Sequence, residues 1–150
     1  MIKITFYGKK PAGKTACALG FFDGVHKGHR KIIRECVSEG RNGLSPVAVT
    51  FDKHPLKTVA PSKAPLLINS FPQKVRCLLE LGAETVAAVH FDRETANLLP
   101  EDFVWFVLKE RLQAASVVIG SNFRFGRDRQ GTGETMRQLG EKYGFDTNII

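Results

Sequence analysis

Hydrophobic positions alternate along the chain between two periodicities. Five apolar runs rich in β-branched residues have the composition of strands that are buried on both faces of a sheet. These runs cover residues 15–22, 45–51, 84–91, 115–120 and 146–150. Segments with helical spacing lie between them, at 28–41, 70–82, 100–112 and 132–143. Because parallel strands need crossover connections, this order predicts an α/β fold: an open, mostly parallel, five-stranded Rossmann-like sheet with helices on both faces.

One segment interrupts the alternation. Residues 52–70 contain three prolines and show no clear period, so we predict a long loop after the second strand. Ligands of open α/β sheets bind beyond the carboxyl ends of the strands. Long loops in compact domains are often functional, which places this loop on the rim of a binding site.

Composition limits the class of protein. The 150 residues are 43% hydrophobic, enough for one domain, expected over residues 1–150, with a substantial core. No apolar run reaches the ~20 residues of a membrane span, and the N-terminus lacks the apolar stretch of a signal peptide, so we expect a cytoplasmic protein without a membrane partner. Cys17, Cys36 and Cys77 lie in apolar segments and are expected to be reduced core residues. A net charge of +7 favours anionic ligands.

A glycine-rich turn stands between the first strand and the first helix. The sequence GFFDGVHKGHRKII, residues 20–33, places glycines where a helix N-terminus offers unpaired N–H groups to an anion. Gly20, Gly24 and Gly28 match neither the GxGxxG fingerprint nor the P-loop. The chemistry of this turn must therefore come from its two histidines.

His26 and His29 are three residues apart, which allows both rings to face one ligand. Zinc would need at least three protein ligands, and no HExxH spacing or nearby cysteine supplies them. In a second interpretation the histidines only cap and pack the helix. In the third, which the position of the turn favours, they donate hydrogen bonds to phosphate oxygens.

Four motifs, in order along the chain, resemble one enzyme family. His26–His29 resemble the HxGH signature of the nucleotidyltransferase superfamily, and GFFDGVHKGH resembles the FAD synthetase (FMN adenylyltransferase) module of bacterial bifunctional riboflavin kinase/FAD synthetases. TFDKHP at 50–55 resembles the family's TFxPHP. LLINSFPQKVRCLLELG at 66–82 resembles LLT...K...LxxLG, and VVIGSNFRFGRDRQGT at 117–132 resembles VVGxDFRFGxxxxG.

The resemblance implies an HxGH-type fold that transfers the adenylyl group of ATP to FMN, with Mg²⁺ carried by ATP. We assign no metal ligand to the protein and expect no nucleic-acid partner. It implies catalytic roles for His26 and His29. The residues it places at ATP are Gly20, Phe21, Phe22, Asp23, Gly24 and Gly28. The residues it places at FMN are Phe51, His54, Pro55, Asn122, Phe123 and Arg124.

The chain departs from the family pattern in three ways. Asn122 occupies a position that is most often aspartate, and Lys53 replaces the usual proline of TFxPHP. The family module also continues into an ISSTxxR segment, and commonly into a riboflavin kinase module, whereas this chain stops at Ile150. We therefore expect a truncated nucleotidyltransferase module, whose own turnover the sequence leaves open.

The sequence is also compatible with other functions. The chain could be a nucleotide- or flavin-binding fragment without turnover, or an HxGH transferase for another acceptor such as phosphopantetheine or nicotinamide mononucleotide. A basic nucleic-acid-binding module fits less well, because the basic residues are dispersed and stacking aromatics accompany them only around Phe123–Phe125. Phe51 and Phe123 could be core residues at strand ends, and Arg124, Arg127 and Arg129 could form a solvated turn.

Overall fold

The computed structural model describes residues 2–53, 60–63 and 70–150. The strands are β1 Ile4–Gly8, β2 Thr15–Leu19, β3 Ser45–Phe51, β4 Thr85–Val89, β5 Ala114–Ile119 and β6 Asp146–Ile149. The helices are α1 Lys27–Ser38, α2 Phe71–Glu80, α3 Arg93–Ala96, α4 Pro100–Phe103, which continues as the π-helix Val104–Arg111, and α5 Gly133–Tyr143. Short 3₁₀ turns cover Asp23–Val25, Glu39–Asn42, Pro61–Lys63 and Arg127–Arg129.

The six strands form one sheet in the order β1-β4-β3-β2-β5-β6. β1 runs antiparallel to β4, and all other neighbours are parallel. The predicted open, mostly parallel sheet is thereby confirmed, with six strands instead of five. β1 escaped prediction because it is an edge strand with no fully buried residue, so it lacks the continuous apolar run of the inner strands. β2 and β4, in contrast, are buried along their whole length.

Helices cover both faces of the sheet. On one face Ile33 of α1 and Leu78 of α2 belong to a core cluster with the even-numbered residues of β2. On the other face Leu108 of the π-helix and Met136 of α5 pack with the odd-numbered residues. This alternation follows from the two-residue period of a strand, and it buries β2 at the centre of the protein.

The strand order changes direction at β2. From β2 the chain steps to β3 and then β4 on one side, and it returns to place β5 on the other side. α1, which follows β2, and α5, which follows β5, therefore lie on opposite faces. A crevice opens at such a switch point, beyond the carboxyl ends of the strands. The turn after β2 and residues 120–132 after β5 border that crevice.

Several predicted boundaries were wrong by a few residues. The first strand ends at Leu19 and the first helix at Ser38, where the backbone tightens into 3₁₀ geometry. The helix predicted over 100–112 is α-helical for one turn and π-helical thereafter. Within the predicted loop 52–70, residues 54–59 and 64–69 lie outside the described residues.

The cysteines and the membrane prediction have simple outcomes. Cys17 and Cys36 are buried and Cys77 is half-buried, all as free thiols, as predicted. The Cys36 thiol donates a hydrogen bond to the carbonyl oxygen of Ala16 at 3.1 Å. Within the described part of the chain, no helix has both the length and the apolarity needed to cross a membrane.

Gly140 tests the packing of α5 on β6. A Cβ at this buried position would lie 2.6 Å from the carbonyl oxygen of Phe145 and 3.0 Å from the Thr147 hydroxyl oxygen. Alanine normally stabilises a helix by ~1 kcal/mol relative to glycine. Here we expect Gly140→Ala to lower the free energy of unfolding by about 1–3 kcal/mol through overpacking, measured by urea denaturation. Glu141→Ala, at the exposed neighbouring position, is the control; a more stable Gly140→Ala protein would contradict the close packing.

Candidate active site

The turn after β2 has a strained and buried backbone. Phe22 and Val25 have φ angles of 60° and 42°, in the left-handed region that costs a non-glycine residue free energy. Both side chains are almost fully buried, at 0% and 2% exposure. Their burial offsets the strain and fixes the path of the chain into α1. The Phe22 side chain faces the core, so this residue can meet a ligand only through its backbone.

His26 and His29 cap the N-terminus of α1 reciprocally. The Nδ1 atom of His26 accepts from the Gly28 N–H at 3.2 Å, and the Nδ1 atom of His29 accepts from the His26 N–H at 3.3 Å. The two rings stack, with centroids 3.5 Å apart and planes inclined by 24°. A ring nitrogen that accepts carries no proton, so each neutral ring holds its proton on Nε2. Capping therefore leaves two Nε2–H donors at the helix N-terminus.

His29 stays uncharged at neutral pH. Burial lowers its pKa to about 4, and the neighbouring His26 acts in the same direction, while Asp23 opposes the change. Two stacked imidazoles also disfavour a second charge. His29 can therefore donate a hydrogen bond to an anion, but at pH 7 it has no imidazolium proton to transfer.

Lys74 of α2 reaches beneath this turn, a role that sequence reasoning missed. Its Nζ donates to the Phe21 carbonyl at 2.9 Å, the Thr50 hydroxyl at 3.2 Å and the Phe51 carbonyl at 3.2 Å. The side chain is only 4% exposed. The signal was a lysine on the buried face of an amphipathic helix, one residue before Val75 and four before Leu78, where an apolar residue is expected.

An open cavity of about 610 Å³ lies beside the turn. Four predicted FMN residues line it: Phe51, Asn122, Phe123 and Arg124. His54 and Pro55 lie outside the described residues. Phe21, predicted at ATP, also lines the cavity. The remaining lining residues were not predicted: Phe91, Thr95, Ala96, Asn97, Phe103, Phe125, Gly126, Asp128 and Arg129.

Aromatic rings form much of the cavity wall. Phe51 meets Phe91 edge to face at a centroid distance of 5.1 Å, and Phe123 stacks on Phe125 at 5.8 Å. Phe51 and Phe123 also pack against the core cluster. These two residues therefore belong both to the edge of the core and to the cavity wall. Such walls suit a flat, apolar ring system.

Phe21 connects the two parts of the site. It belongs to the turn that leads to the histidines, and it lines the cavity. Arg124 and Asn122 are exposed at the cavity mouth, whereas Arg127, which contacts Asp128 on the surface, does not line it. Within residues 2–53, 60–63 and 70–150, no group of three or more His, Cys, Asp or Glu residues could hold a metal ion.

Comparison with known proteins identifies the family. The FAD synthetase family matches residues 9–150. This chain belongs to the FAD synthetase family. The resemblance drawn from the four motifs is confirmed, and with it the assignment to a family of nucleotidyltransferase enzymes.

Sequence relatives agree with this family. The bifunctional riboflavin kinase/FMN adenylyltransferase of Escherichia coli (strain K12) is 38% identical over 138 residues, which cover 90% of this chain and 44% of the relative. The protein of the same name from Bacillus subtilis (strain 168) is 34% identical over 132 residues, 85% of this chain and 41% of its own length. The chain thus spans less than half the length of these two FAD synthetase relatives.

A solved structure supports the fold. The crystal structure described as a macrolide-efflux protein from Streptococcus pneumoniae aligns with a TM-score of 0.77 and 24% sequence identity. It covers 92% of this chain and 45% of that protein. At this identity the likeness supports the architecture of the FAD synthetase domain and no more.

The lowered pKa of His29 predicts how this residue titrates. In the unfolded chain a histidine titrates near pH 6.5, so between pH 6.5 and about 4 the unfolded state binds more protons at this site. The contribution of His29 to stability is therefore present above pH 6.5 and is lost as the pH falls through this window. NMR of the ring Cε1–H should show no titration above about pH 5; a midpoint near 6.5 would contradict its burial against Phe22 and His26.

Proposed function

We propose that this domain transfers the adenylyl group of ATP to FMN. An oxygen of the FMN phosphate attacks the α-phosphorus of ATP, the bond from that phosphorus to the β-phosphate oxygen breaks, and FAD and pyrophosphate are released. Membership of the FAD synthetase family supports this reaction. The observation that carries it is the pair of imidazoles whose Nδ1 atoms cap α1, beside an aromatic cavity, with Phe21 common to both parts of the site.

On the ATP side, His26 and His29 would donate Nε2–H to the non-bridging oxygens of the α-phosphate. The N-terminus of α1 adds its partial positive charge. The backbone of the turn would form the wall against ATP, through Gly20, Phe21, Phe22, Asp23, Gly24 and Gly28. Because the FMN phosphate is already anionic, the reaction needs positioning and charge stabilisation more than a base or a protein nucleophile.

Mg²⁺ would enter with ATP. This cation is usually held by substrate phosphates, waters and one or two carboxylates, and Asp23 stands in the turn as a carboxylate able to take part. When bound, the cation neutralises charge on the phosphate oxygens. The histidines would then act on the α-phosphate by hydrogen bonding through Nε2.

On the FMN side, the cavity would hold the isoalloxazine ring between Phe51 and Phe123. Its volume lies within the ~300–1,000 Å³ typical of ligand sites. Asn122 supplies hydrogen bonds at the mouth, and Arg124 lies where it can meet the phosphate. His54 and Pro55 remain predicted members of this wall. The riboflavin kinase activity named for the relatives would belong to the part of them that this chain does not cover.

The direct test is synthesis. Purified chain incubated with FMN and MgATP should form FAD and pyrophosphate, followed by chromatography. If the chain forms no FAD and shows no measurable ATP binding, the proposal is refuted. Binding of both substrates without FAD would identify a binding domain, and stabilisation by nicotinamide mononucleotide or phosphopantetheine but not by FMN would identify another acceptor.

Asparagine variants separate capping from catalysis. The asparagine amide oxygen can replace Nδ1 as the acceptor at the cap, but asparagine has no group at the position of Nε2. His26→Asn and His29→Asn should therefore fold normally and lose about 10²–10³ in kcat, the usual cost of one transition-state donor. Arg34→Asn, at an exposed position further along the same helix, is the control. Retained kcat in both asparagine variants would support the interpretation in which the histidines only cap and pack.

Arg124 tests recognition of the FMN phosphate. We expect Arg124→Ala to weaken FMN binding by about 10- to 100-fold, since a hydrogen bond to a charged group contributes about 1.5–3 kcal/mol. Binding of riboflavin, which lacks the phosphate, should change little. Arg127→Ala is the matched control, because Arg127 lies in the same loop but does not line the cavity. Equal losses for FMN and riboflavin would contradict the phosphate contact; fluorescence titration measures both.

A further inference from the structure

Lys74 holds together the two parts of the site. Its three ammonium hydrogens bond the carbonyl of Phe21, in the turn after β2, and the hydroxyl of Thr50 and carbonyl of Phe51, at the end of β3. The Thr50 hydroxyl in turn donates to the Phe21 carbonyl at 2.9 Å. The ammonium also stands 3.9 Å from the centroid of the Phe21 ring. α2 thereby fixes the spacing between the turn and the cavity wall.

This buried cation has no ion-pair partner among residues 2–53, 60–63 and 70–150. Its polar contacts in the described structure are two backbone carbonyls and one hydroxyl. A buried charge is costly unless an opposite charge compensates it. Asp23 and Asp52 offset part of this charge, and an anion bound above the turn would offset more of it.

We propose that Lys74 is a positioning residue that keeps a fixed positive charge under the phosphate-binding turn and ties that turn to the wall of the cavity. The inference rests on the proposed function, in which two anionic substrates meet at this point. All three Nζ hydrogens are committed to the protein, so Lys74 acts on the phosphates through its field and through the turn that it holds. A charge so buried is screened little by salt.

The groups that face Lys74 define its pH dependence. Burial lowers the pKa of Lys74 to about 8, while Asp23 from the turn and Asp52 from the end of β3 raise it. Asp52 is itself bound to His90, which follows β4, at 2.5 Å, and His29 of α1 is neutral near pH 8. A bound polyanion raises the pKa of Lys74, so binding above pH 8 takes up a proton. Affinity must then fall as the pH rises through this range.

Variants of Lys74 measured with inorganic pyrophosphate and with MgATP test the proposal. Lys74→Met keeps the length and apolar stem but removes the charge, and we expect it to bind both ligands at least tenfold more weakly by calorimetry. Lys74→Arg keeps the charge and should bind more tightly than Lys74→Met. Lys109→Met is the matched control, because Lys109 donates to the Ala114 carbonyl at 3.0 Å in the π-helix, away from the turn. A folded Lys74→Met protein with unchanged affinity for pyrophosphate would overturn the proposal.

Proton uptake by the unmodified chain gives a readout that does not depend on folding of Lys74→Met. Calorimetry at about pH 8.5 in two buffers of different ionisation enthalpy should show more proton uptake on binding of pyrophosphate by the unmodified chain than by Lys74→Arg, and little difference between the two at pH 7. Pyrophosphate exchanges protons of its own in this pH range, so Lys74→Arg, whose guanidinium does not titrate there, measures the ligand's own share. Equal uptake by the unmodified chain and Lys74→Arg would overturn the proposal.

The two proposals fail in different ways. If pyrophosphate binding depends on Lys74 but the chain forms no FAD, the inference about Lys74 stands and the proposed adenylyl transfer is refuted. If the chain forms FAD but substitution of Lys74 does not change its affinity for pyrophosphate, the adenylyl transfer stands and the inference about Lys74 is refuted. An absence of pyrophosphate and ATP binding in the unmodified chain would refute both.

Discussion

The reciprocal hydrogen bonds at the start of α1 determine what this site can do. His26 and His29 use Nδ1 to satisfy backbone N–H groups that a helix leaves unpaired. The same bonds set the tautomer, so the proton of each neutral ring is on Nε2. One set of contacts thus gives helix stability and ligand chemistry together. Structural and functional interpretations of the HxGH motif are for this reason compatible with each other.

The turn can hold this arrangement because its surroundings constrain it from three sides. Buried Phe22 and Val25 anchor a left-handed backbone from within the core. Lys74 holds the Phe21 carbonyl from α2. The change of strand order at β2 separates the neighbouring connections and opens the crevice. Rigidity of this kind is what a reaction controlled by positioning requires.

Much of the architecture could be predicted from the sequence because the inner strands carry an unmistakable signal. The inner strands β2 to β5 are apolar over most of their residues, and the helices between them begin at recognisable caps such as Ser70. β1 was missed because an exposed edge strand pairs through backbone hydrogen bonds and buries little. Lys74 was missed as a site residue because helical spacing shows which face is buried but not which carbonyls that face will meet. Cavity residues such as Phe91 and Asn97 come together only through the fold.

The tautomer of the two histidines with a non-hydrolysable ATP analogue and Mg²⁺ bound tests the central claim most directly. Long-range ¹H–¹⁵N correlation NMR on chain labelled with ¹⁵N-histidine distinguishes the neutral Nε2–H form from the Nδ1–H and charged forms. We expect His26 and His29 to be neutral, protonated on Nε2, and to shift at Nε2 when the analogue binds. Rings protonated on Nδ1, or Nε2 signals that the analogue leaves unchanged, would contradict a role for these histidines as donors to the phosphate.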